Sequence, residues 1–288
     1  MTDPIYHVDG DLRPAAEASV PVEDRGFMYG DAAFETLRAY GGSVFAWDAH
    51  HERLRNTCAS LGMGDAVPAD LRERVDETLA ANDFEDAYLR VSVTRGLQPG
   101  KLTPRPEVDP TVVVIAKPLP RGGLDGESVW EGPATVETVD TRRVDSAAIP
   151  AGAKTHNYLN GILARLELDR KADEALLLDA DGAVAEGAAS NLFFVEDGTL
   201  KTPSTEADLL PGVTRSVVLD LASDESFPVE EGRYDPDAVR RADEVFLTNT
   251  TWEIRPVTTL DRWNLDVGPI TRLLVRLFRK RVEAEHYA

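Results

Sequence analysis

AGAKTHNYLNGILARLEL, residues 151–168, and DGAVAEGAASNLFF, residues 181–194, decide how the chain is organised. Lys154 precedes a helical pattern in the first stretch, and Glu186 follows an alternating strand in the second. The apolar positions between these two charged residues are dense enough to form core. The lysine and the glutamate that bracket this segment are therefore the first candidates for chemistry.

Lys154 carries an amine that reacts with a carbonyl only when it is unprotonated. Its small neutral neighbours, Ala151, Gly152 and Ala153, favour burial, and burial disfavours the ammonium form. These features predict a Schiff base between Lys154 and an aldehyde cofactor. Without the rest of the chain as context, however, the simpler interpretation of Lys154 is an ordinary surface lysine at the start of a helix.

Glu186 is followed by small residues, Gly187 to Ser190, which let a ligand approach the backbone closely. A carboxylate beside a pyridine nitrogen keeps that nitrogen protonated, so the ring accepts electrons when a bond at the substrate's alpha carbon breaks. We therefore predict that Glu186 is the partner of the cofactor's ring nitrogen. The alternative is one more acidic surface residue in an acidic protein.

A third element has the physical form of a phosphate site. Pro211-Gly212 directly precedes a predicted helix that begins near Thr214, and the positive end of a helix attracts anions. Arg53 can add bidentate contacts to the same phosphate. Thr250 and Thr251 offer hydroxyls and amides at a strand end. Each feature also has a simpler explanation. Pro211-Gly212 would be a plain turn into a helix, Arg53 would lie on a solvated helix face, and the threonines would reflect β-propensity alone.

The composition is that of a globular protein with a large excess of acid. Apolar residues make up 42% of the 288 residues, and the formal net charge is -20. An acidic surface repels nucleic acids and anionic membranes, which argues against both as partners. No apolar run reaches the length of a membrane span and no leader pattern opens the chain, so we expect a cytoplasmic protein.

Cysteine, histidine and lysine usage narrows the chemistry further. The single cysteine, Cys58, rules out an internal disulfide. His50 and His51 are adjacent and cannot share one helix face, so we expect no metal site. Lysine is scarce, which leaves few candidates for a Schiff base. Acidic surfaces poor in lysine suit concentrated salt, and a halophilic source is our hypothesis.

The segment KPLPRGGLDG, from Lys117 to Gly126, is the best linker in the chain because proline stiffens it and glycine breaks both periodicities. It predicts an N-terminal domain over residues 1–118, a linker over 119–126 and a C-terminal domain over 127–288. Helices are predicted over His50–Leu61, Asp70–Asn82, about Asn157–Arg170, a segment that begins near Thr214, and Pro269–His286, and Asp48 is predicted to cap the first of them. Hairpins are predicted to turn at Asp9-Gly10, Gly41-Gly42, Asp181-Gly182 and Asp197-Gly198.

Six motifs in register resemble the class IV aminotransferases, the fold type IV enzymes that depend on pyridoxal phosphate. This family includes branched-chain aminotransferases, D-amino acid aminotransferases and aminodeoxychorismate lyase. The match covers nearly the whole chain, and its segments are Tyr29-Gly30 with Phe34–Arg38, His50–Leu54, Lys154–Leu159, Glu186–Phe193, Thr202-Pro203 and Leu210–Arg215.

The resemblance implies an α/β (α+β) fold with two domains, a small α/β N-terminal domain and a larger C-terminal domain around a pseudo-barrel. It implies an active site between the domains that a second subunit completes, and hence a homodimer. Lys154 would bind the cofactor covalently and carry the proton between the alpha carbon and C4′, and Glu186 would face the pyridine nitrogen. The phosphate and the ring would be held by Arg53, Gly212, Val213, Thr214, Thr250 and Tyr158.

The motifs leave the reaction open between branches of the family. Thr36 is similar to a threonine of the lyases, where it would assist proton delivery, and the surrounding segment looks closest to that branch. Arg90, in Tyr88-Leu89-Arg90, matches an arginine with which branched-chain enzymes read an acidic substrate. Lys101 stands near the place of a carboxylate-binding arginine in the lyases and D-amino acid enzymes. The substrate side would comprise Tyr29, Phe34, Arg38, Tyr88, Arg90, Lys101 and Thr251.

We therefore expect conversion of 4-amino-4-deoxychorismate to 4-aminobenzoate and pyruvate. The alternatives are a branched-chain transaminase using glutamate and 2-oxoglutarate, or a D-amino acid or amine transaminase. A relative that keeps the fold only as a binding module is a further alternative, against which the retained Lys154 and Glu186 argue.

Overall fold

The structure is a computed structural model that describes residues 3–98, 100–119, 121 and 130–287. The chain divides into two compact units. The first comprises Met1–Pro120, Ala153–Asn157 and His286–Ala288, and the second comprises Arg121–Gly152 and Tyr158–Glu285. The predicted linker, residues 119–126, lies almost wholly outside the described residues, so the predicted domain limits stay predictions.

A six-stranded antiparallel sheet forms the first unit, in the order β2-β1-β6-β5-β3-β4. Apolar side chains on one face of the sheet, such as Leu37 and Leu89, pack against Leu54 and Val75 of two helices. The elements of this unit are β1 Ile5–Val8, β2 Asp11–Pro14, α1 Arg25–Tyr29, β3 Ala32–Tyr40, β4 Ser43–Val44, α2 Trp47–Ser60, α3 Leu71–Asn82, β5 Ala87–Thr94 and β6 Val112–Pro118.

A nine-stranded mixed sheet forms the second unit, in the order β12-β11-β10-β13-β14-β7-β8-β9, with β15 paired to β14. Its core joins strand residues such as Leu192 and Leu247 to Val239. The elements are β7 Ala134–Thr138, α4 Leu159–Leu166, β8 Glu174–Leu178, β9 Val184–Gly187, β10 Asn191–Glu196, β11 Thr199–Pro203, α5 Val213–Asp224, β12 Val229–Gly232, α6 Pro236–Arg240, β13 Glu244–Asn249, β14 Glu253–Leu260, β15 Trp263–Asn264 and α7 Pro269–His286.

The mixed α/β class with two units confirms the predicted fold class, and the bounds of two helices, α2 and α4, differ from prediction. Helix α2 begins at Trp47 after Ala46, whose backbone is left-handed with φ 50°, and Asp48 lies in the first turn rather than at the cap. Helix α4 is shorter than expected, from Leu159 to Leu166. Glu167 follows its last residue, and the Glu167 carboxylate accepts the backbone N–H groups of residues 140 and 141.

Over the described residues, none of the helices is both long and apolar enough to cross a membrane. The same residues contain no group of three or more His, Cys, Asp or Glu side chains placed to hold a metal ion.

Candidate active site

The segment around Lys154 continues the sheet of the first unit beside β3. The Phe34 N–H donates to the Lys154 carbonyl at 3.0 Å, and the His156 N–H donates to the Ala32 carbonyl at 2.9 Å. The Lys154 N–H donates to the Thr57 hydroxyl at 3.0 Å. Hydrogen bonds on two sides thus fix the backbone of the lysine, while its side chain is half-buried rather than fully buried.

Three cationic or polar side chains contact the aromatic ring of Phe34. The Lys154 Nζ lies 4.4 Å from the ring centroid, and the Arg90 guanidinium carbon lies 3.8 Å from it. The His156 ring meets Phe34 edge-on, with centroids 5.6 Å apart. Cation–π attraction favours both cations at this ring. The amine of Lys154 and the guanidinium of Arg90 therefore both contact the Phe34 ring.

Strand register places most of the predicted substrate residues on the face of the first unit's sheet that carries Phe34. Phe34 pairs with Ser92, Thr36 with Arg90, and Arg38 with Tyr88 along β3 and β5. Alternate residues of a strand point to one face, so Phe34, Thr36 and Arg38 lie together. Arg38 is buried and stacks on Tyr40, with its guanidinium carbon 4.8 Å from the ring centroid.

His156 is a member of this group that the motifs did not single out. Its Nε2 lies 3.2 Å from the Ser92 hydroxyl. Burial lowers the pKa of His156 to about 4; the nearby Arg90 charge lowers it as well, while Asp24 acts in the opposite direction. The imidazole is therefore neutral near pH 7. Its position two residues after the lysine was the only sequence signal for it.

The opposite face of β3 holds a buried charge network that includes Arg53. Its Nε and Nη2 donate to the two oxygens of Glu35 at 2.8 and 2.7 Å, and the His50 Nδ1 lies 2.8 Å from the same carboxylate. Burial favours a neutral carboxyl, but the Arg53 charge and the hydrogen bonds from Arg53 and His50 outweigh it and lower the pKa of Glu35 to about 2. The guanidinium predicted for phosphate is thus anchored by Glu35.

Tyr29 and Lys101 lie near a second arginine cluster in the first unit. Tyr29 is exposed, and the Arg25 guanidinium carbon lies 4.9 Å from its ring centroid. Arg25 and Arg95 both donate to the Asp31 carboxylate. Lys101 is exposed, and its carbonyl accepts the Arg25 Nη1 at 2.7 Å. The structure therefore ties the backbone at Lys101 to helix α1.

Glu186 lies on β9 of the second unit, where it is buried and pairs in register with Leu177 of β8. Its Oε1 accepts the Arg143 Nε at 2.6 Å. Its Oε2 accepts the Leu210 N–H at 3.0 Å and the Asn191 Nδ2 at 3.3 Å. Arg143 was missed in the sequence because no motif spacing links it to a residue 43 positions later.

A buried carboxylate holds the turn after Glu186. Glu174 accepts the Ala189 N–H and the Ser190 hydroxyl at 3.2 and 3.1 Å, and Arg165 donates to it at 2.8 Å. Burial raises the pKa of Glu174. A Cβ on Gly187 would clash with the Ser190 Oγ, so a larger residue at the end of β9 would require the Ser190 side chain to move. The path from β9 to β10 is thereby fixed.

The predicted phosphate segment has an open helix N-terminus. Helix α5 starts at Val213, and in the described part of the chain no side chain caps its first turn at Gly212. A Cβ at Gly212 would clash with the Asn191 Oδ1, which explains the glycine. The first N–H groups of a helix have no intrahelical acceptor, so the amides of Val213 and Thr214 suit an anion.

The remaining predicted residues of this unit lie in turns. Thr250 and Thr251 form the turn between β13 and β14, where the Trp252 N–H donates to the Asn249 side chain at 2.7 Å. The Asn249 Nδ2 donates to the Ala189 carbonyl at 3.1 Å, which ties this turn to the one after Glu186. Tyr158 precedes the first residue of α4.

The donor set matches the three functional groups of pyridoxal phosphate. A lysine amine suits the aldehyde, a buried carboxylate suits the ring nitrogen, and an uncapped helix N-terminus suits the phosphate. The uncapped N-terminus of α5 and the buried carboxylate of Glu186 are the structural observations in the second unit that favour this cofactor. The residues present therefore fit this cofactor.

Residues 32–260 match the family model described as amino-transferase class IV. Among curated proteins, the "Putative branched-chain-amino-acid aminotransferase" of Methanocaldococcus jannaschii is 39% identical over 280 residues, which cover 95% of this chain and 94% of the relative. The D-alanine aminotransferase of Staphylococcus haemolyticus is 32% identical, with coverages of 96% and 97%. The aminodeoxychorismate lyase of Bacillus subtilis is also 32% identical, with coverages of 97% and 95%.

Solved structures agree with these matches. The branched-chain aminotransferase of Thermoproteus uzoniensis with norvaline superposes with a TM-score of 0.90 at 33% identity, covering 98% of this chain and 95% of that one. The T.th. branched-chain amino acid aminotransferase complexed with N-(5'-phosphopyridoxyl)-L-glutamate gives 0.89 at 30% identity, with coverages of 99% and 95%.

Proposed function

Because the chain belongs to the class IV aminotransferase family and is a pyridoxal-phosphate-dependent enzyme, we propose that it is a transaminase for branched-chain L-amino acids that uses glutamate and 2-oxoglutarate as the acidic pair. Identity to the Methanocaldococcus jannaschii relative, at 39%, supports this choice over the lyase, whose Bacillus subtilis example is 32% identical. The first expectation from sequence, the lyase, becomes the second candidate.

Bound pyridoxal phosphate supplies an aldehyde for the substrate's amino group and a ring that takes up the electrons of a bond broken at the alpha carbon. In the proposed roles, Lys154 holds the cofactor and then moves the alpha proton. Glu186 keeps a proton on the ring nitrogen, and Tyr158 supports the ring. The phosphate is assigned to Arg53, the amides of Gly212, Val213 and Thr214, and the Thr250 hydroxyl.

Arg90 is the observation that carries the substrate proposal. Among the described residues no carboxylate contacts it, and its guanidinium stacks on the Phe34 ring, which the Lys154 amine also contacts. An arginine held this way offers planar donors to a carboxylate without breaking an existing ion pair. The acidic side chain of glutamate or 2-oxoglutarate is the carboxylate we assign to it, with Arg38, Tyr88, Tyr29, Lys101 and Thr251 as further candidate contacts.

One observation favours the lyase as the second candidate. Thr36 is half-buried and lies directly opposite Arg90 in the β3–β5 register, on the face that carries Phe34. A hydroxyl at that place suits proton delivery to a leaving enol. If Thr36 has this role, Thr36→Gly abolishes release of 4-aminobenzoate; a variant with full lyase activity would contradict it.

The deciding experiment exposes the yellow holoenzyme separately to L-leucine, L-glutamate, D-alanine and 4-amino-4-deoxychorismate. The proposed function predicts bleaching to the pyridoxamine form by L-leucine and L-glutamate. Release of 4-aminobenzoate without bleaching would identify the lyase instead. Borohydride reduction followed by peptide mapping is expected to label Lys154, and a label on any other lysine would contradict its role.

Replacing Arg90 tests the assignment of the acidic substrate. Arg90→Met is expected to raise the KM for 2-oxoglutarate at least about tenfold, the loss of one charge-assisted hydrogen bond, with little change in the KM for the branched-chain substrate. Arg55→Met is the matched control, because Arg55 is an exposed arginine of α2. Equal effects of the two variants would contradict the assignment.

We also propose a homodimer, supported by an apolar stripe on α4. Leu159, Ile162, Leu163 and Leu166 recur at helical spacing and are between 48% and 75% exposed. Water-exposed apolar stripes of this kind mark interaction surfaces. A second copy with a net charge of -20 repels the first, so an uncharged contact surface is required for self-association.

Light scattering after size exclusion tests the dimer. The wild-type chain is expected at twice the 31.5 kDa protomer mass, and Leu163→Asp is expected to yield monomer. Leu12→Asp, at an exposed leucine of β2, is the control and is expected to stay dimeric. A monomeric wild-type chain, or a dimeric Leu163→Asp variant, would refute the proposed interface.

A further inference from the structure

The Arg143 guanidinium forms the shortest contact to Glu186 among the hydrogen bonds described above. Its Nε donates to the Glu186 Oε1 at 2.6 Å, and the side chains are 18% and 9% exposed. Hydrogen bonds between a cation and a carboxylate are stronger than neutral ones, the more so away from water. Arg143 is therefore placed to control the charge and the orientation of this carboxylate.

The backbone around Arg143 is pinned to the hairpin that carries Glu186. The Arg143 N–H donates to the Leu178 carbonyl of β8 at 2.8 Å. Asn160 binds the residues on both sides, accepting from the Val144 N–H at 3.1 Å and donating to the Arg142 carbonyl at 2.8 Å. Since β8 pairs with β9, the arginine and its carboxylate are held by one framework, and little freedom is lost when they pair.

The two oxygens of Glu186 have different partners. Oε1 receives the charged donor, whereas Oε2 receives two neutral donors, the Leu210 N–H and the Asn191 amide. Each carboxylate oxygen can accept more than one hydrogen bond, so these donors orient the group without closing it to a ligand. Donors on both oxygens also stop the carboxylate from rotating. The carboxylate therefore holds one orientation before any cofactor binds.

We propose that Arg143 is a positioning residue that keeps Glu186 ionised and in one orientation, so that the carboxylate can accept the N–H of the cofactor's ring nitrogen. This inference rests on the proposed role of Glu186 in binding pyridoxal phosphate. Without the guanidinium, the buried carboxylate would favour its neutral form, because desolvation disfavours the charge. A neutral carboxyl no longer attracts the proton on the ring nitrogen.

The test uses the full-length chain in apo and reconstituted forms. Arg143→Met and Arg143→Lys are compared with Arg142→Met, in which the neighbouring exposed arginine is removed. The dissociation constant of pyridoxal 5′-phosphate is measured by titration of the apo-protein, and the absorption spectrum of the bound cofactor is recorded. Arg143→Met is expected to weaken binding about tenfold and to change the spectrum. Arg143→Lys is expected to recover part of both, and Arg142→Met to match wild type.

A double-variant cycle separates this role from general support of the fold. If Arg143 acts through Glu186, adding Arg143→Met to Glu186→Gln causes no further loss of cofactor affinity. Additive losses, or equal behaviour of Arg143→Met and Arg142→Met, would overturn the inference. If Arg143→Met does not fold by circular dichroism, Arg143→Gln, which removes the charge but keeps a polar side chain, takes its place, and a wild-type spectrum and affinity in that variant would overturn the inference.

The same measurements distinguish the inference from the function on which it rests. A wild-type chain that takes up no pyridoxal phosphate would contradict the proposed function and this inference together. Normal uptake on Lys154, with a cofactor spectrum indifferent to Arg143, would contradict this inference alone.

Discussion

Replacing His156 tests whether a neutral imidazole packs against Phe34 near Arg90. The half-buried ring packs edge-on against Phe34, and Arg90 adds a positive charge nearby, so desolvation and charge repulsion both disfavour protonation. The pKa of His156 falls from 6.5 to about 4. That difference corresponds to about 3 kcal/mol between the two protonation states.

The sign of the effect on stability follows from proton uptake. Between pH 6.5 and 4 the unfolded chain binds a proton at His156 and the folded chain does not, so stability falls as pH falls. The contribution is fully present above pH 6.5, and about 2 kcal/mol of it is lost by pH 5. The His156→Asn variant lacks this loss, so its free energy of unfolding changes less between pH 7.5 and 5 than that of wild type.

Titration of the ring signals by nuclear magnetic resonance gives the direct measurement. The chain has five histidines, so the signal that His156→Asn removes can be assigned. It is expected to show no inflection between pH 8 and 5, a range above the sequence pI of about 4.6. Ser92→Ala is the companion variant and is expected to lower stability by about 1 kcal/mol at both pH values. A midpoint near 6.5 for the His156 signal would refute the argument.

Three further predictions follow from features of the same structure. Glu35→Gln leaves the buried Arg53 cation without its counter-ion and is expected to lower the free energy of unfolding by about 3–5 kcal/mol in urea; Glu52→Gln, on the exposed face of α2, is the control, and equal stability of the two would count against the network. Gly212→Ala places a Cβ against the Asn191 Oδ1 and is expected to weaken cofactor binding. Gly152→Ala is the control, because a Cβ there has its nearest neighbour at 3.9 Å, and its dissociation constant for the cofactor is expected to be unchanged. Equal binding by both variants would count against a phosphate site at the N-terminus of α5. Desalting is expected to lower the melting temperature steeply, because a net charge of -20 repels itself when unscreened; indifference to salt would contradict the halophilic hypothesis.

Local chemistry explains why much of the fold could be predicted from the sequence. Asp197 and Gly198 have φ values of 50° and 74°, a left-handed conformation that Asp and Gly tolerate. The two residues were therefore enough to predict the hairpin. Apolar spacing likewise predicted α3 and α7. The start of α2 was not visible in this way, because nothing about Ala46 signals a left-handed residue.

Some residues of the candidate site stand in local sequence motifs, whereas others come together only when distant segments pack. Lys154, Glu186 and Gly212 stand in motifs and could be predicted from the sequence. Arg143 and Glu186 meet only because β8 and β9 pair and a loop returns to them. Glu35 and Arg53 meet across 18 positions, between a strand and a helix. Such pairings depend on packing, and a single sequence contains no periodicity that records them.

The first compact unit includes Ala153–Asn157, which are synthesised well after the strands of this unit. Until Asn157 emerges from the ribosome, the edge of β3 at Ala32 and Phe34 has no partner from this segment. At roughly 5–20 residues per second, that wait lasts a few seconds, during which an open strand edge can pair with another nascent chain. In an amino-terminal fragment ending at Pro120 this strand edge stays open to pairing with other chains, and the fragment also lacks Lys154.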